Sequence, residues 1–145
     1  MNLVDANVLL YAINEDAVHH HDARRWLDES LSGAATVALS WVVLLAFVRL
    51  STKAAIFPRP LSADQALDRV DAWLAQPTAV VVEPAADHLR IIRRLLGPLG
   101  TSGNLATDAH LAALAIEHRC TVVTYDADFT RFDGVRSATP SELLR

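Results

Sequence analysis

The chain has 145 residues, enough for one ordinary domain and too few for a second folded unit. With 52% hydrophobic and 21% charged residues it can build a sizeable core, which excludes a disordered chain. A net charge of -4 argues against nucleic-acid binding by bulk charge, although it leaves room for an enzyme whose metal ions meet the phosphates.

Asn2-Leu3-Val4-Asp5 reads as a short buried strand ending on a carboxylate, and Val8–Ile13 as a helical turn or two broken by Asn14-Glu15-Asp16. Asp5 also interrupts the apolar start, so no signal peptide is expected. His19–Leu31 carries Ala23, Trp26, Leu27 and Leu31 at helical spacing, and Ser32-Gly33 ends it. The run His19-His20-His21 looks like a metal tract, but consecutive helical residues diverge, so it reads as a solvated helix start.

Thr36–Leu39 is a second strand, and Ser40 is placed to cap a helix from Trp41 to about Ser51. That helix is apolar on almost every side, more than one core contact needs, which suits a dimer or partner groove as well as a buried core helix. It is too short and too interrupted by Arg49 to span a bilayer. Arg49, with Lys53 one turn on, calls for an acidic residue, a substrate phosphate or a protein partner, or else snorkels to the core edge. After the Phe57-Pro58-Arg59-Pro60 loop, Ser62 is placed to cap a helix over Ala63–Leu74.

Pro77 precedes a strand over Ala79–Glu83, and Pro84 is expected to open a helix running to about Leu96. Its Arg90, Arg93 and Arg94 read as a solvated face with an RNA-guiding role as the alternative. A loop over Gly97-Pro98 and Gly100–Gly103 leads into an amphipathic helix, Leu105–His118, then a strand, Thr121–Tyr125, ending at Asp126. The single cysteine, Cys120, sits in an apolar run, so it reads as a small buried hydrophobe and suits a reducing cytoplasm. A turn at Asp128–Phe132, a strand at Val135–Ala138 and a tail finish the chain. Strands alternating with helices call for a mainly parallel sheet covered on both faces, with ligands beyond the carboxyl ends of the strands.

That rule gathers the acids. Asp5 and Asp126 end two strands, Asp108 lies in the first turn of its helix one turn after Asn104, and Asp128 is two residues past Asp126. Converging carboxylates repel unless a cation neutralises them, and Mg²⁺ or Mn²⁺ prefers such oxygen ligands while leaving positions for phosphate oxygens. Each has a bland alternative: loop capping for Asp5, the helix dipole for Asp108, and turn chemistry for Asp126 and Asp128.

Read with their flanks, Leu3-Val4-Asp5-Ala6-Asn7-Val8-Leu9-Leu10-Tyr11-Ala12, Asp108-Ala109-His110-Leu111-Ala112-Ala113-Leu114-Ala115 and Val123-Thr124-Tyr125-Asp126-Ala127-Asp128-Phe129-Thr130-Arg131-Phe132 resemble the PIN-domain family, specifically its VapC toxins. The resemblance covers Met1 to about Ser137. It implies a three-layer α/β/α domain over residues 1–145 with a five-stranded, mainly parallel sheet, a magnesium- or manganese-dependent endoribonuclease activity, a homodimer and a VapB antitoxin. Carried over by motif, Asp5 and Asp108 are metal ligands, Asp126 completes the site directly or through water, and Asn7 and Thr124 orient them or the substrate. One departure matters. Most family members carry a Glu on the helix after the second strand, where Ala46 stands here, so Asp128 is a candidate replacement. The same loss raises the rival reading of a catalytically dead PIN-like binding module. A receiver-like domain would need adjacent acids after the first strand and a late Lys, and a haloacid-dehalogenase-type phosphatase would want an Asp where Asn7 stands. Both fall behind.

Overall fold

The computed structural model describes residues 1–100 and 103–145; of the expected Gly100–Gly103 loop, Thr101 and Ser102 lie outside the described residues. Five strands, β1 (Asn2–Val4), β2 (Val37–Leu39), β3 (Ala79–Val81), β4 (Thr121–Val123) and β5 (Ser137–Ala138), form one sheet in the order β3-β2-β1-β4-β5. Every neighbouring pair is parallel, so the mainly parallel sheet expected from the helix–strand alternation is wholly parallel. Successive side chains of a strand point to opposite faces, yet Leu3, Val4, Val122 and Val123 are all 0% exposed. Helices therefore cover both faces, which is why these strands read as unbroken apolar runs.

The helices are α1 (Ala6–Ile13), α2 (His20–Leu31), α3 (Trp41–Ser51), α4 (Ala63–Leu74), α5 (His88–Leu96), α6 (Leu105–His118) and α7 (Pro140–Leu143). They pack in two groups, α5 against α6, and α1 against α2 and α3, with α4 on α3 and α7 on α2. In α6 the buried face is mostly alanine (Ala109, Ala112, Ala113, Ala115), with Leu105, Leu111 and Leu114 beside it. Alanine is the best helix former and its short side chain lets the helix approach the sheet closely. Among the described residues no helix is long and apolar enough to cross a membrane.

Chain direction decides where a site can form. From the central β1 the chain builds outward through β2 to β3, then returns to the other side of β1 for β4 and β5. The strand order reverses between β1 and β4, and a crevice opens at their carboxyl ends.

Several expectations need correction. The strands stop earlier, so that Thr124, Tyr125 and Glu83 lie beyond them; the Val82 and Thr124 N–H groups still donate to the Leu39 and Ala138 carbonyls (2.9 and 3.0 Å) before the chain turns away. Ser62 caps α4 through a capping box with Gln65, as expected, but Ser40 caps nothing. Although it occupies the N-cap position of α3, its hydroxyl is buried and, among the described residues, the only buried side-chain N or O atom without a hydrogen-bond partner. Pro84 does not open α5. The chain from Glu83 to Asp87 is held as a turn, with the Ala85 N–H donating to Glu117 Oε2 (3.2 Å) and His118 Nε2 2.8 Å from the Glu83 carbonyl. The tail forms α7, closed by a capping box between Thr139 and Glu142 with Pro140 at the first helical position.

Candidate metal centre

Asp5 directly follows β1, where it becomes the N-cap of α1. Its Oδ1 accepts from the Ala6 N–H (2.7 Å), and its Oδ2 accepts from the Thr124 hydroxyl (2.8 Å) and Asn7 Nδ2 (3.2 Å). Thr124, buried just past β4, receives Asn7 Nδ2 (3.0 Å) and the Asp126 N–H (2.9 Å) on the same oxygen that donates to Asp5. Asn7 Oδ1 in turn accepts the Tyr125 N–H (3.0 Å). Asn7 and Thr124, expected to orient the site, thus lace α1 to the segment after β4, and hold Asp5 and the Asp126 backbone in fixed relation.

Asp126 caps the short 3-10 helix Ala127–Arg131, its Oδ1 accepting from the Asp128 N–H (2.9 Å). This folds the Asp126-Ala127-Asp128 segment back on itself, so both carboxylates meet Asp108, which stands in the first turn of α6. One carboxylate oxygen from each of Asp108, Asp126 and Asp128 lies within 4.8 Å of the others, and all three residues are half-buried. Magnesium–oxygen distances of about 2 Å put neighbouring ligand oxygens roughly 3–4 Å apart, so this spread suits a shared hard cation after a small contraction. An all-carboxylate donor set suits Mg²⁺ or Mn²⁺ and is poor for softer metals.

Asp5 lies outside that set but within its field. Its charge, with those of Asp126 and Asp128, adds to burial in pushing the Asp108 carboxyl up to about 6. Burial likewise raises Asp5, with the Asp126 charge adding to it and the Thr124, Ala6 and Asn7 hydrogen bonds opposing it. Since Oδ1 of Asp5 receives only the Ala6 N–H while Oδ2 receives two donors, Oδ1 retains acceptor capacity.

Other expected residues stand elsewhere. Asn104 occupies the exposed N-cap position of α6, its side chain making no cap hydrogen bond. Arg49 lies in the last turn of α3, eight residues beyond the rim where that helix starts, or on the order of 12 Å along its axis. It is exposed and has no ion pair among the described residues. Ala46, where an acid was missed in sequence, is half-buried on α3, and no acid replaces it on that helix. Sequence reasoning passed over the side chain of Tyr125, although its place between Thr124 and Asp126 was a signal for it.

The PIN domain family profile matches residues 3–135. The chain belongs to the PIN-domain family. Within this family, Ribonuclease VapC37 of Mycobacterium tuberculosis is 56% identical over 144 residues, covering 99% of this chain and 100% of that protein. Ribonuclease VapC31 of the same species is 39% identical, with 97% and 99% covered. These relatives place the PIN domain in the VapC ribonuclease branch. Among solved structures, VapBC2 from Rickettsia felis, bound to a DNA fragment from its promoter, superposes with a TM-score of 0.70 at 22% identity, covering 95% of this chain and 97% of that one. VapC20 of M. tuberculosis, described as a sarcin-ricin loop cleaving toxin, gives 0.65 at 20%, with 94% and 99% covered. At those identities the likeness is one of PIN fold.

Proposed function

We propose that this chain is the toxin of a type II toxin–antitoxin pair, an endoribonuclease that hydrolyses RNA phosphodiester bonds with Mg²⁺ or Mn²⁺. The observation that carries the reading is the meeting of Asp108, Asp126 and Asp128 oxygens within 4.8 Å at the switch point of the sheet. In this reading those three hold the ion, and Asp5 completes its shell through Oδ1, directly or across a water. Asp128 then takes the place of the acid absent at Ala46.

A divalent ion bound there supplies Lewis-acid stabilisation of phosphate charge and acidifies water for in-line attack. The protein's own part is positional. Thr124 and Asn7 fix the Asp5 carboxylate and, through the Asp126 and Tyr125 N–H groups, the loop that carries Asp126. Asp108, whose carboxyl burial and its neighbours' charges push up to about 6, is partly protonated in mildly acidic solution, and would have to be ionised to hold a cation.

The remaining partners follow from the same reading: a VapB-type antitoxin, supported by the VapBC complexes that share the fold, a homodimer, and residence in the cytoplasm. Cleavage of defined RNAs by the purified chain tests it. Activity should require Mg²⁺ or Mn²⁺, vanish with chelator, and fall at least about 100-fold in Asp5→Asn and Asp108→Asn proteins that remain folded. Metal-independent cleavage, or full activity in Asp108→Asn, would overturn the reading. A folded wild type that neither binds metal nor cleaves would favour the binding-module alternative.

A further inference from the structure

Tyr125, next to Asp126 in the chain, belongs to an aromatic group that the chemistry of the acidic cluster leaves unused. The His19 ring stacks on Tyr125 with centroids 4.1 Å apart and an interplanar angle of 11°, and Tyr11 packs against both at 5.9 and 5.6 Å. His19 is exposed, whereas Tyr11 and Tyr125 are half-buried, so the imidazole is the outer layer of the stack. The Tyr125 layer beneath is fixed, with Tyr11 tilted against its side. Tyr125 is anchored at one end by its N–H to Asn7 Oδ1 and at the other by its hydroxyl, 3.1 Å from Ser141 Oγ, while the Tyr11 carbonyl meets His20 Nδ1 at 2.8 Å.

We propose that the outward face of His19 receives an unpaired nucleobase of the RNA strand whose phosphate lies at the acidic cluster. The inference rests on the ribonuclease reading. Continuity with that site selects the occupant. Tyr125 sits between Thr124 and Asp126, and Tyr11 is one helical turn from Asn7, about 6 Å along the same face of α1. In this proposal a strand held by its phosphate at the carboxylates reaches the stack with a neighbouring nucleotide. A flat π-surface serves a chain of net charge -4 well, because stacking holds a strand without the bulk positive charge this protein lacks. It accepts any base, so it positions the strand and does not specify sequence. It also favours single-stranded segments, since paired bases hide their faces.

Short single-stranded RNA carrying 2-aminopurine, whose fluorescence is quenched on stacking, gives a direct readout. In the Asp5→Asn protein with Mg²⁺, where the RNA stays intact, binding should quench the probe. Adding His19→Ala should remove the quench and weaken binding about tenfold, and His19→Phe should restore both. In cleavage assays on otherwise wild-type protein, His19→Ala should raise KM about tenfold and leave kcat within about twofold, with Tm unchanged because the ring is exposed. Undiminished binding and KM in His19→Ala, or failure of His19→Phe to restore them in a folded protein, would overturn the proposal. His19-dependent quenching without any cleavage by the wild type would instead sink the ribonuclease reading and keep the platform.

Discussion

Asp108 feels burial and three neighbouring carboxylates at once, and its carboxyl is held at about 6 against an ordinary 3.8. In metal-free protein the neutral form is the one the fold prefers. The stability it contributes is full below about pH 4 and is lost as pH rises through about 6. Asp108→Asn removes that loss, so with chelator at pH 7.5 this variant should be more stable than wild type by about 1 kcal/mol, after discounting for partial exposure. Chemical denaturation measures this, and equal or lower stability would contradict the electrostatic account. Metal needs the ionised form, so Mn²⁺ affinity should fall as pH drops through about 6. Asp128→Asn should weaken Mn²⁺ binding about tenfold or more in calorimetric titration; unchanged affinity would return the cluster to a pair and refute replacement of the missing acid at Ala46.

At the scale of elements, the packing of α5 on α6, the helix that carries Asp108, is set by polar devices. His88 at the start of α5 bridges Glu117 (Nδ1 to Oε1, 2.6 Å) and His110 (Nε2 to Nδ1, 2.8 Å), both on α6. The Glu117 side chain is only 3% exposed. His88→Ala would leave Glu117 Oε1 without its partner, Oε2 keeping the Ala85 N–H, and should cost about 1–3 kcal/mol in denaturant unfolding; a loss under about 0.5 kcal/mol would show that water replaces the imidazole. At its other end α6 stops on Arg119, whose φ of 56° is left-handed, with the Cys120 N–H returning to the Ala115 carbonyl at 2.8 Å. A glycine fits that conformation without steric cost, so Arg119→Gly should stabilise by about 0.5–1 kcal/mol and raise Tm by a few degrees. A lower Tm would mean that the arginine side chain contributes more than its backbone costs.

For the whole molecule, the sheet concentrates negative charge at one crevice, and the folded state carries that repulsion until a cation arrives. Ions that bind only the native protein stabilise it by mass action, about 2.7 kcal/mol at a hundred times Kd. Mg²⁺ or Mn²⁺ should therefore raise Tm at pH 7.5, the increment should shrink below pH 6, and it should be small in Asp108→Asn. A thermal scan with and without chelator reads all three outcomes, and a Tm indifferent to metal would show that the crevice does not bind it.

Much was legible along the chain because local rules settle it. Strands alternating with helices gave the parallel sheet, amphipathic patterning gave α6, and Ser62 gave the start of α4. Asp5, Asp108 and Asp126 stood out because each ends a strand or lies in the first turn of a helix, and Asp128 because it is two residues past Asp126. Other features depend on residues far apart in the chain. Glu117 lies 32 residues from the Ala85 N–H it holds, so Pro84 looked like a helix start, and 119 positions separate Thr124 from the Asp5 carboxylate it supports. The stack of His19 on Tyr125 likewise joins the start of α2 to the segment after β4, which turned a histidine run that reads as solvated into an ordered surface. Periodicity and capping act within a few residues, and so the sequence by itself determined most of the elements and which carboxylates to expect at the rim. The order of the strands and the distances between side chains arise only when both faces of the sheet are covered, and these decided that Asp128 joins Asp108 and Asp126 while Asp5 stands beside them.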